Sequence, residues 1–208
     1  MKVDMIRYTQ DADMLCGEAA ALCTGFAGDP LKALKGALAS GHESVAEHAT
    51  FTFRIEGVSR ILLAQLTRHR IASFSVQSQR YCGCDAEDVV IPDSFRKKRF
   101  VGSVNVLLRK ASEVYDALVM EGVPEEDARF IVPQGVKCKL MMTMNARELR
   151  HFFSMRCCNR AQWEIRQLAQ MMLQMCKSVA PVLFADAGAG CVRGACPEGA
   201  KSCKKGTK

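Results

Sequence analysis

The hydrophobic and polar positions along the chain follow two different periods, one typical of strands and one typical of helices, and together they predict a protein with both. Thr50–Ile55 and Val136–Met144 alternate apolar and polar side chains with a period of two, as strands with one buried face do. Val3–Tyr8 is predicted to form a short opening strand. Longer segments with helical character separate these strands, so the expected fold class is α+β.

Capping residues mark several of the predicted helix ends. Asp29 stands before Pro30 as an N-cap, Asn145 is placed to cap a later helix, and Gly122 ends the longest one. Ser44–Glu47 has the form of a capping box and predicts a short helix start. The predicted helices cover residues 11–26, 29–41, 58–67, 94–121 (which an interruption near Gly102 could divide), 124–132, 145–155 and 161–184.

Length and composition are those of an ordinary globular protein. The chain has 208 residues, of which 49% are hydrophobic and 25% charged. We expect one domain over residues 1–184 and a flexible tail rich in Cys, Gly and Lys over residues 185–208. The net charge of +7 suits a protein that binds acidic small molecules as well as one that binds nucleic acid, so it does not distinguish them.

Cysteine usage bears on the compartment. There are 11 cysteines, an odd number, and the opening Met1–Asp4 does not resemble a signal peptide. This combination predicts reduced thiols in a cytoplasmic protein. No apolar run approaches the ~18 residues that a membrane span needs, so no membrane partner is expected.

Arg68–Tyr81 is the chemically densest stretch of the chain. It combines three arginines, a histidine, serines and glutamines, and it contains no carboxylate. Guanidinium groups match phosphate oxygens bidentately, so the stretch is predicted to be a ligand-facing loop for a phosphate. Gln65 lies about one helical turn before Arg68 and can address the same ligand. The alternative is a solvated basic loop that faces nucleic acid or an acidic partner.

Two groups of residues raise the question of a metal. His42 and His48 lie near two glutamates, but they lack the i, i+4 spacing of a helical zinc site. Capping and ring stacking on a ligand are expected there instead. In the tail, Cys191, Cys196 and Cys203 have a spacing that fits no common zinc ribbon, which leaves a metal as the minor alternative. No metal is therefore predicted.

A second set of polar residues follows the last predicted strand. Asn145 and Arg147 open a helix, and His151 lies one turn beyond Arg147. Arg156 follows a Phe-Phe pair expected in the core, and an arginine at the edge of an apolar face usually needs an anion to satisfy it. Cysteines in such helices mostly serve packing, so no nucleophile is assigned to Cys157–Cys158.

The order of these motifs resembles that of the flavin-dependent thymidylate synthase family. Arg68-His69-Arg70, followed by seven residues and then Ser78, reproduces the family signature. Four further matches occur in the family's order: Gly41–Ser44, Glu47–Phe53, Asn145–Arg147, and Arg156 followed by Ala161–Ile165. The resemblance thus covers the chain from about Gly41 to Ile165.

This resemblance implies a fold, a reaction and an assembly. The implied fold is α+β, a β-sheet flanked by long helices, and residues 1–184 would be a single catalytic domain. The implied reaction is reductive methylation of dUMP to dTMP, with 5,10-methylenetetrahydrofolate as carbon donor and release of tetrahydrofolate. NADPH-reduced FAD would supply the hydride. The implied assembly is a homotetramer with active sites between subunits.

The resemblance also assigns site residues by position. The residues that correspond to the family's flavin-binding set are His42, Ser44, Arg68, His69, Arg70, Asn145, Arg147 and His151. Those that correspond to its nucleotide-binding set are Gln65, Arg68, Ser78, Gln79, Arg80, Arg129 and Arg156. Arg156 would be catalytic, because it would stabilise negative charge that develops at N3 of the uracil. Val76 departs from the polar residue that many relatives carry there.

A second reading of the same residues is a non-catalytic basic nucleotide- or RNA-binding protein. It would retain the phosphate-binding stretch, and its binding to polynucleotide would depend steeply on salt. Under the enzyme reading, dUMP, the folate and NADPH are the partners and no nucleic acid is bound.

Overall fold

The computed structural model describes residues 1–204. The strands are β1 (Lys2–Tyr8), β2 (Thr50–Ser59), β3 (Ala72–Val76) and β4 (Lys137–Asn145). The α-helices are α1 (Ala12–Thr24), α2 (Pro30–Ala39), α3 (Arg60–Leu66), α4 (Asp93–Lys97), α5 (Val101–Met120), α6 (Glu125–Ala128), α7 (Ala146–Arg156) and α8 (Trp163–Val179). Short 3₁₀ turns cover Glu43–His48, Arg129–Ile131, Gly190–Arg193 and Gly199–Lys201. The α+β fold class is confirmed.

The strands form one sheet in the order β1-β2-β4-β3. The alternation predicted for β4 is confirmed, because Cys138, Leu140, Met142 and Met144 are buried and the residues between them are not. Strands with one buried face leave the other face and their ends free for polar side chains.

The chain forms two compact units. Unit 1 comprises Met1–Lys2, Ile55–Thr67 and Ser75–Leu140, and unit 2 comprises Val3–Arg54, Arg68–Phe74 and Met141–Lys208. The core of unit 1 is mainly aliphatic, and its fully buried side chains include Ile55, Val58, Leu62, Leu66 and Ala128.

The core of unit 2 is aromatic. Phe51, Phe53, Phe152, Phe153 and Phe184 are all fully buried. Phe184 packs edge-on against Phe51, with ring centroids 5.4 Å apart, and against Phe153 at 6.0 Å. Edge-to-face pairs of this kind add to the free energy gained by burial. This packing fixes α7, and with it the polar residues at both ends of that helix.

The caps that position these helices are in part those predicted from the sequence. The side chain of Asp29 accepts a hydrogen bond from Leu31 N, and that of Asn145 accepts one from Glu148 N at 2.8 Å. Ser59 caps α3 in the same way. The short helix near Ser44 differs, since it is a 3₁₀ turn that begins at Glu43 with His42 in the N-cap position. The predicted N-cap, Ser44, therefore lies two residues after the observed one.

Other element boundaries depart from the sequence predictions. The segment predicted over residues 94–121 as one helix, with a possible interruption near Gly102, is two helices, and the interruption lies just before Gly102, where Arg99 has a φ of 59°. The last helix ends at Val179 rather than near residue 184. Arg68–Tyr81 is not a continuous loop, because β3 occupies its middle.

The C-terminal segment makes defined contacts over its described part. Ala187 and Ala189 are buried, and Asp186 is bonded to Arg150 of α7. Residues 205–208 of the predicted tail lie outside the described residues. The division into a domain over residues 1–184 and a flexible tail stays a prediction. Across residues 1–204, every helix is too short or too polar to span a bilayer.

Candidate functional site

The side chains of the Arg68-His69-Arg70 motif differ in how deeply they are buried. Arg68 and Arg70 are exposed, whereas His69 is only 5% exposed. The ring of His69 packs edge-on against Phe152, with centroids 5.0 Å apart, and lies 5.9 Å from the ring of His151. The two arginines are thus available to a ligand, while the histidine belongs to the interior of unit 2.

Both ring nitrogens of His69 have protein partners. Nδ1 lies 3.0 Å from Glu148 Oε1, and Arg156 Nε donates to Nε2 at 3.1 Å. Because a guanidinium can only donate, Nε2 must accept, and Nδ1–H therefore donates to the carboxylate. Burial is the main cause that lowers the pKa of His69, which favours this neutral tautomer. The result is a hydrogen-bonded chain from Glu148 through His69 to Arg156.

This chain orients Arg156 at the end of α7. The guanidinium is partly buried, and burial, followed by the charge of Arg68, lowers its pKa. A guanidinium that is desolvated beside a second positive charge gains most from a nearby anion. The hydrogen bond from its Nε to His69 fixes the orientation of the guanidinium at this end of α7.

A cavity of about 460 Å³ lies at the other end of α7 in unit 2. Three of the predicted flavin residues, Asn145, Arg147 and His151, line it together. Arg147 forms an exposed ion pair with Glu47, which also lines the cavity. Asn145 uses its side-chain oxygen as the helix cap, so its amide nitrogen is the group that can donate to a ligand.

Two more of the predicted flavin residues line a different cavity of unit 2. His42 and Ser44 border a space of about 530 Å³ whose other walls come mainly from α1 and α2. The lining there is mostly apolar, with Phe26, Ala33 and Val45 among its side chains. Within unit 2, five of the eight predicted flavin residues are therefore distributed over two cavities, and Arg68, His69 and Arg70 line neither of them.

In unit 1, Glu126 brings two of the predicted nucleotide residues together. Arg80 Nε donates to a carboxylate oxygen of Glu126 at 2.6 Å, and Arg129 Nε donates to its backbone oxygen at 3.0 Å. Ser78 accepts a hydrogen bond from the backbone N–H of Arg80, which fixes the turn between them. Ser78 and Gln79 border a small polar cavity of about 210 Å³.

The remaining nucleotide residues are placed in both units. Gln65 lies near the end of α3 in unit 1, where its amide nitrogen contacts Ile61 O at 3.4 Å. Arg68 and Arg156 belong to unit 2.

Among residues 1–204, one group of three metal-ligand side chains has its ligand atoms within 4.8 Å of one another: His69, Glu148 and His151. The geometry favours hydrogen bonding over metal binding there, since both nitrogens of His69 are engaged and a guanidinium adjoins it. The expectation of no metal among the site residues stays a prediction.

Comparison with known proteins identifies the family. The thymidylate synthase complementing protein family matches residues 4–182. The chain belongs to this family. It is 46% identical over 221 aligned residues to the flavin-dependent thymidylate synthase of Geobacter sulfurreducens, and the alignment covers 99% of this chain and 94% of the relative. The enzyme of the same name from Clostridium tetani is 41% identical, with the same coverage. The flavin-dependent thymidylate synthase of Pyrococcus furiosus is 48% identical, and the alignment covers 82% of this chain and 74% of the relative.

Two acidic residues near the predicted site residues of this family member, Glu148 and Glu126, were not predicted from the sequence. A buried role for Glu148 was not predicted, because a glutamate three residues after an N-cap such as Asn145 is common in the first turn of a helix. Its 7% exposure and its contact with His69 appear only in the folded chain. Glu126 lies in the helix predicted over residues 124–132, and nothing in the sequence connects it to Arg80.

Proposed function

We propose that this protein is a flavin-dependent thymidylate synthase that methylates dUMP to dTMP. The carbon donor is 5,10-methylenetetrahydrofolate, and tetrahydrofolate is released. The observation that carries the proposal is the Glu148–His69–Arg156 chain, which orients a guanidinium of the family's motif at the end of α7. The near full-length similarity to enzymes of that name supports the same reaction.

The residues of unit 2 fit an anionic dinucleotide such as FAD. Arg68, Arg70 and Arg147 supply charged donors, and a pyrophosphate offers them matching acceptors. The carboxylate of Glu47 neutralises Arg147 in the structure, so a bound phosphate would share or replace that partner. His42, Ser44, His69, Asn145 and His151 complete the proposed flavin set. When bound, FAD reduced by NADPH supplies the hydride of the reaction.

The proposed dUMP residues are arginines and short polar side chains. Those in unit 1 are Gln65, Ser78, Gln79, Arg80 and Arg129, and those in unit 2 are Arg68 and Arg156. Arg80 and Arg129 supply the charge that a phosphate monoester requires. Val76 has no side-chain donor, so any hydrogen bond it makes to a ligand is through its backbone.

Arg156 is the proposed catalytic residue. Methyl transfer to the uracil ring requires that electron density accumulate toward N3 and its flanking carbonyls, and a guanidinium placed there stabilises it. The hydrogen bond that Arg156 donates to His69 restricts the rotation of the arginine side chain, so less reorganisation is needed during the reaction. No nucleophilic side chain is required, which leaves Ser78 as a phosphate ligand.

We further propose a cytoplasmic homotetramer with active sites between subunits. Exposed apolar side chains support association, since Leu22, Met120 and Phe130 are each more than 80% exposed. The abundance of cysteine, with 11 in the chain, supports a reducing compartment.

The visible spectrum of the purified protein tests the proposal. We expect bound FAD, bleached on addition of NADPH, together with NADPH oxidation that dUMP stimulates and folate-dependent formation of dTMP. A protein that cannot be reconstituted with FAD and makes no dTMP would refute it. Salt-sensitive polynucleotide binding by such a protein would favour the non-catalytic alternative.

Arg80→Ala is expected to weaken dUMP binding by about tenfold to a hundredfold, because one charged hydrogen-bond donor to phosphate is worth roughly 1.5–3 kcal/mol. Titration of the FAD-loaded enzyme with dUMP measures the effect. Lys97→Ala, in exposed α4, is the matched control and should leave the affinity unchanged. If Arg80→Ala binds dUMP as the wild type does, Arg80 is not a phosphate ligand.

A further inference from the structure

Four cysteines of unit 2 gather near the C-terminal end of α7. Cys158, Cys191 and Cys196 line one cavity of about 440 Å³. Cys203 lies beside it, with its Sγ 3.9 Å from the amide nitrogen of Asn159, the residue after Cys158. Three of these cysteines lie close together in the sequence of the tail. Cys158 is distant from them in the sequence and comes near them only in the folded chain.

These cysteines differ from those that serve packing. Cys157 and Cys176 are buried, and burial raises the pKa of Cys157 to about 12. Cys158, the immediate neighbour of Cys157, is partly exposed, as are the three cysteines of the tail. Four of the five partly exposed cysteines thus lie in one part of unit 2 (the fifth, Cys84, belongs to unit 1), which a role in core packing does not explain.

The backbone around these thiols is built of tight turns. Gly194 has a φ of 147° and Gly199 a φ of 51°, and these glycines separate the three tail cysteines. The backbone N–H of Arg160 points at the sulfur of Cys158 at 3.5 Å. Backbone N–H groups that point at sulfur are a common second shell of metal thiolates.

Polar contacts hold the tail against the rest of unit 2, and those of Arg160 lie at this end of α7. Arg160 donates to Lys201 O at 2.7 Å and lies 3.6 Å from Glu198. Arg193 donates to Glu43 at 2.7 Å. Arg156 and Arg160 also line the cavity. Four thiolates around a divalent cation carry a net negative charge, and these two arginines offset it.

We propose that Cys158, Cys191, Cys196 and Cys203 bind one Zn²⁺ ion. Four sulfur ligands and tetrahedral geometry are characteristic of structural zinc, with Zn–S near 2.3 Å and sulfurs about 3.8 Å apart. Among residues 1–204, no three of these sulfurs lie within 4.8 Å of one another, so binding requires side-chain rotation into the cavity. The ion fastens residues 190–203 to the helix end that carries Arg156.

Metal analysis of the full-length protein, purified under reducing conditions, tests the site. We expect one zinc per chain, and Co²⁺ in its place should give the intense visible bands of tetrahedral thiolate coordination. Cys158→Ser and Cys203→Ser should each lower zinc affinity at least about tenfold in competition with a chromophoric chelator. Cys23→Ser, exposed on α1, is the matched control and should keep full zinc content.

Three results would overturn the proposal. The first is a wild-type protein that takes up no added zinc while its thiols titrate as reduced. The second is zinc affinity that both cluster variants retain. The third is a disulfide among the four cysteines in protein kept free of oxygen. Far-UV circular dichroism, measured on every variant, verifies folding without relying on FAD and so keeps a failure of this site separate from a failure of the proposed activity.

Discussion

Arg156→Ala is expected to reduce dTMP formation by about 10²–10³-fold while FAD remains bound. The range is the usual cost of removing one group that stabilises charge developing in a transition state. The guanidinium is aligned by His69 and repelled by Arg68, so the folded enzyme holds it ready for an anion. Alanine removes the positive charge and leaves Nε2 of His69 without this donor.

Single-turnover conversion of dUMP, together with the flavin spectrum, measures this effect. Arg109→Ala, on the exposed face of α5, is the control and should retain full activity. Glu148→Gln keeps an oxygen acceptor for His69 but removes the charge, so its loss of activity should be smaller. Normal turnover by Arg156→Ala would show that its assigned role is wrong, and loss of FAD would show a structural role instead.

Arg150→Ala is expected to be the most destabilising substitution, lowering the free energy of unfolding by about 3–5 kcal/mol. The Arg150 side chain is fully buried and bonds to Glu43, to both carboxylate oxygens of Asp186, and to the backbone oxygen of Leu183. Removing a buried partner leaves the opposite charges uncompensated and opens a cavity. Asp186 keeps access to water, at 46% side-chain exposure, which favours the lower end of this range.

Urea denaturation with saturating FAD measures the difference. Arg54→Ala, whose pair with Asp4 is exposed, is the matched control and should change stability by no more than about 1 kcal/mol. A similar small change for Arg150→Ala would show that the buried network contributes little.

The same network predicts a pH dependence. Burial alone raises the pKa of Asp186, but hydrogen bonds from Arg150 outweigh it and hold the pKa below the ordinary 3.8. A carboxyl with a lowered folded-state pKa contributes stability above its unfolded pKa and loses it as the pH falls through the folded value. The stability gap between wild type and Arg150→Ala should therefore be full at pH 7 and narrow below pH 3.8. A constant gap would exclude Asp186 as its source.

Local patterns were enough to predict much of the fold. The alternation in β4 follows from the period of two in a strand with one buried face, and the caps at Asp29 and Asn145 follow from hydrogen bonds within a few residues. The strand inside the basic stretch was not predicted, because it depends on packing that overrides local preference.

The sequence by itself determined which residue types this protein offers to a ligand: the arginines of the basic stretch, the opening of α7, and Arg156. Their motifs also placed the chain in its family. Only the tertiary structure decided that His69 turns inward between Glu148 and Arg156, and that Cys158 joins the tail cysteines. Burial and hydrogen bonds between residues far apart in the chain are set by packing, which leaves no local signal in the residues themselves.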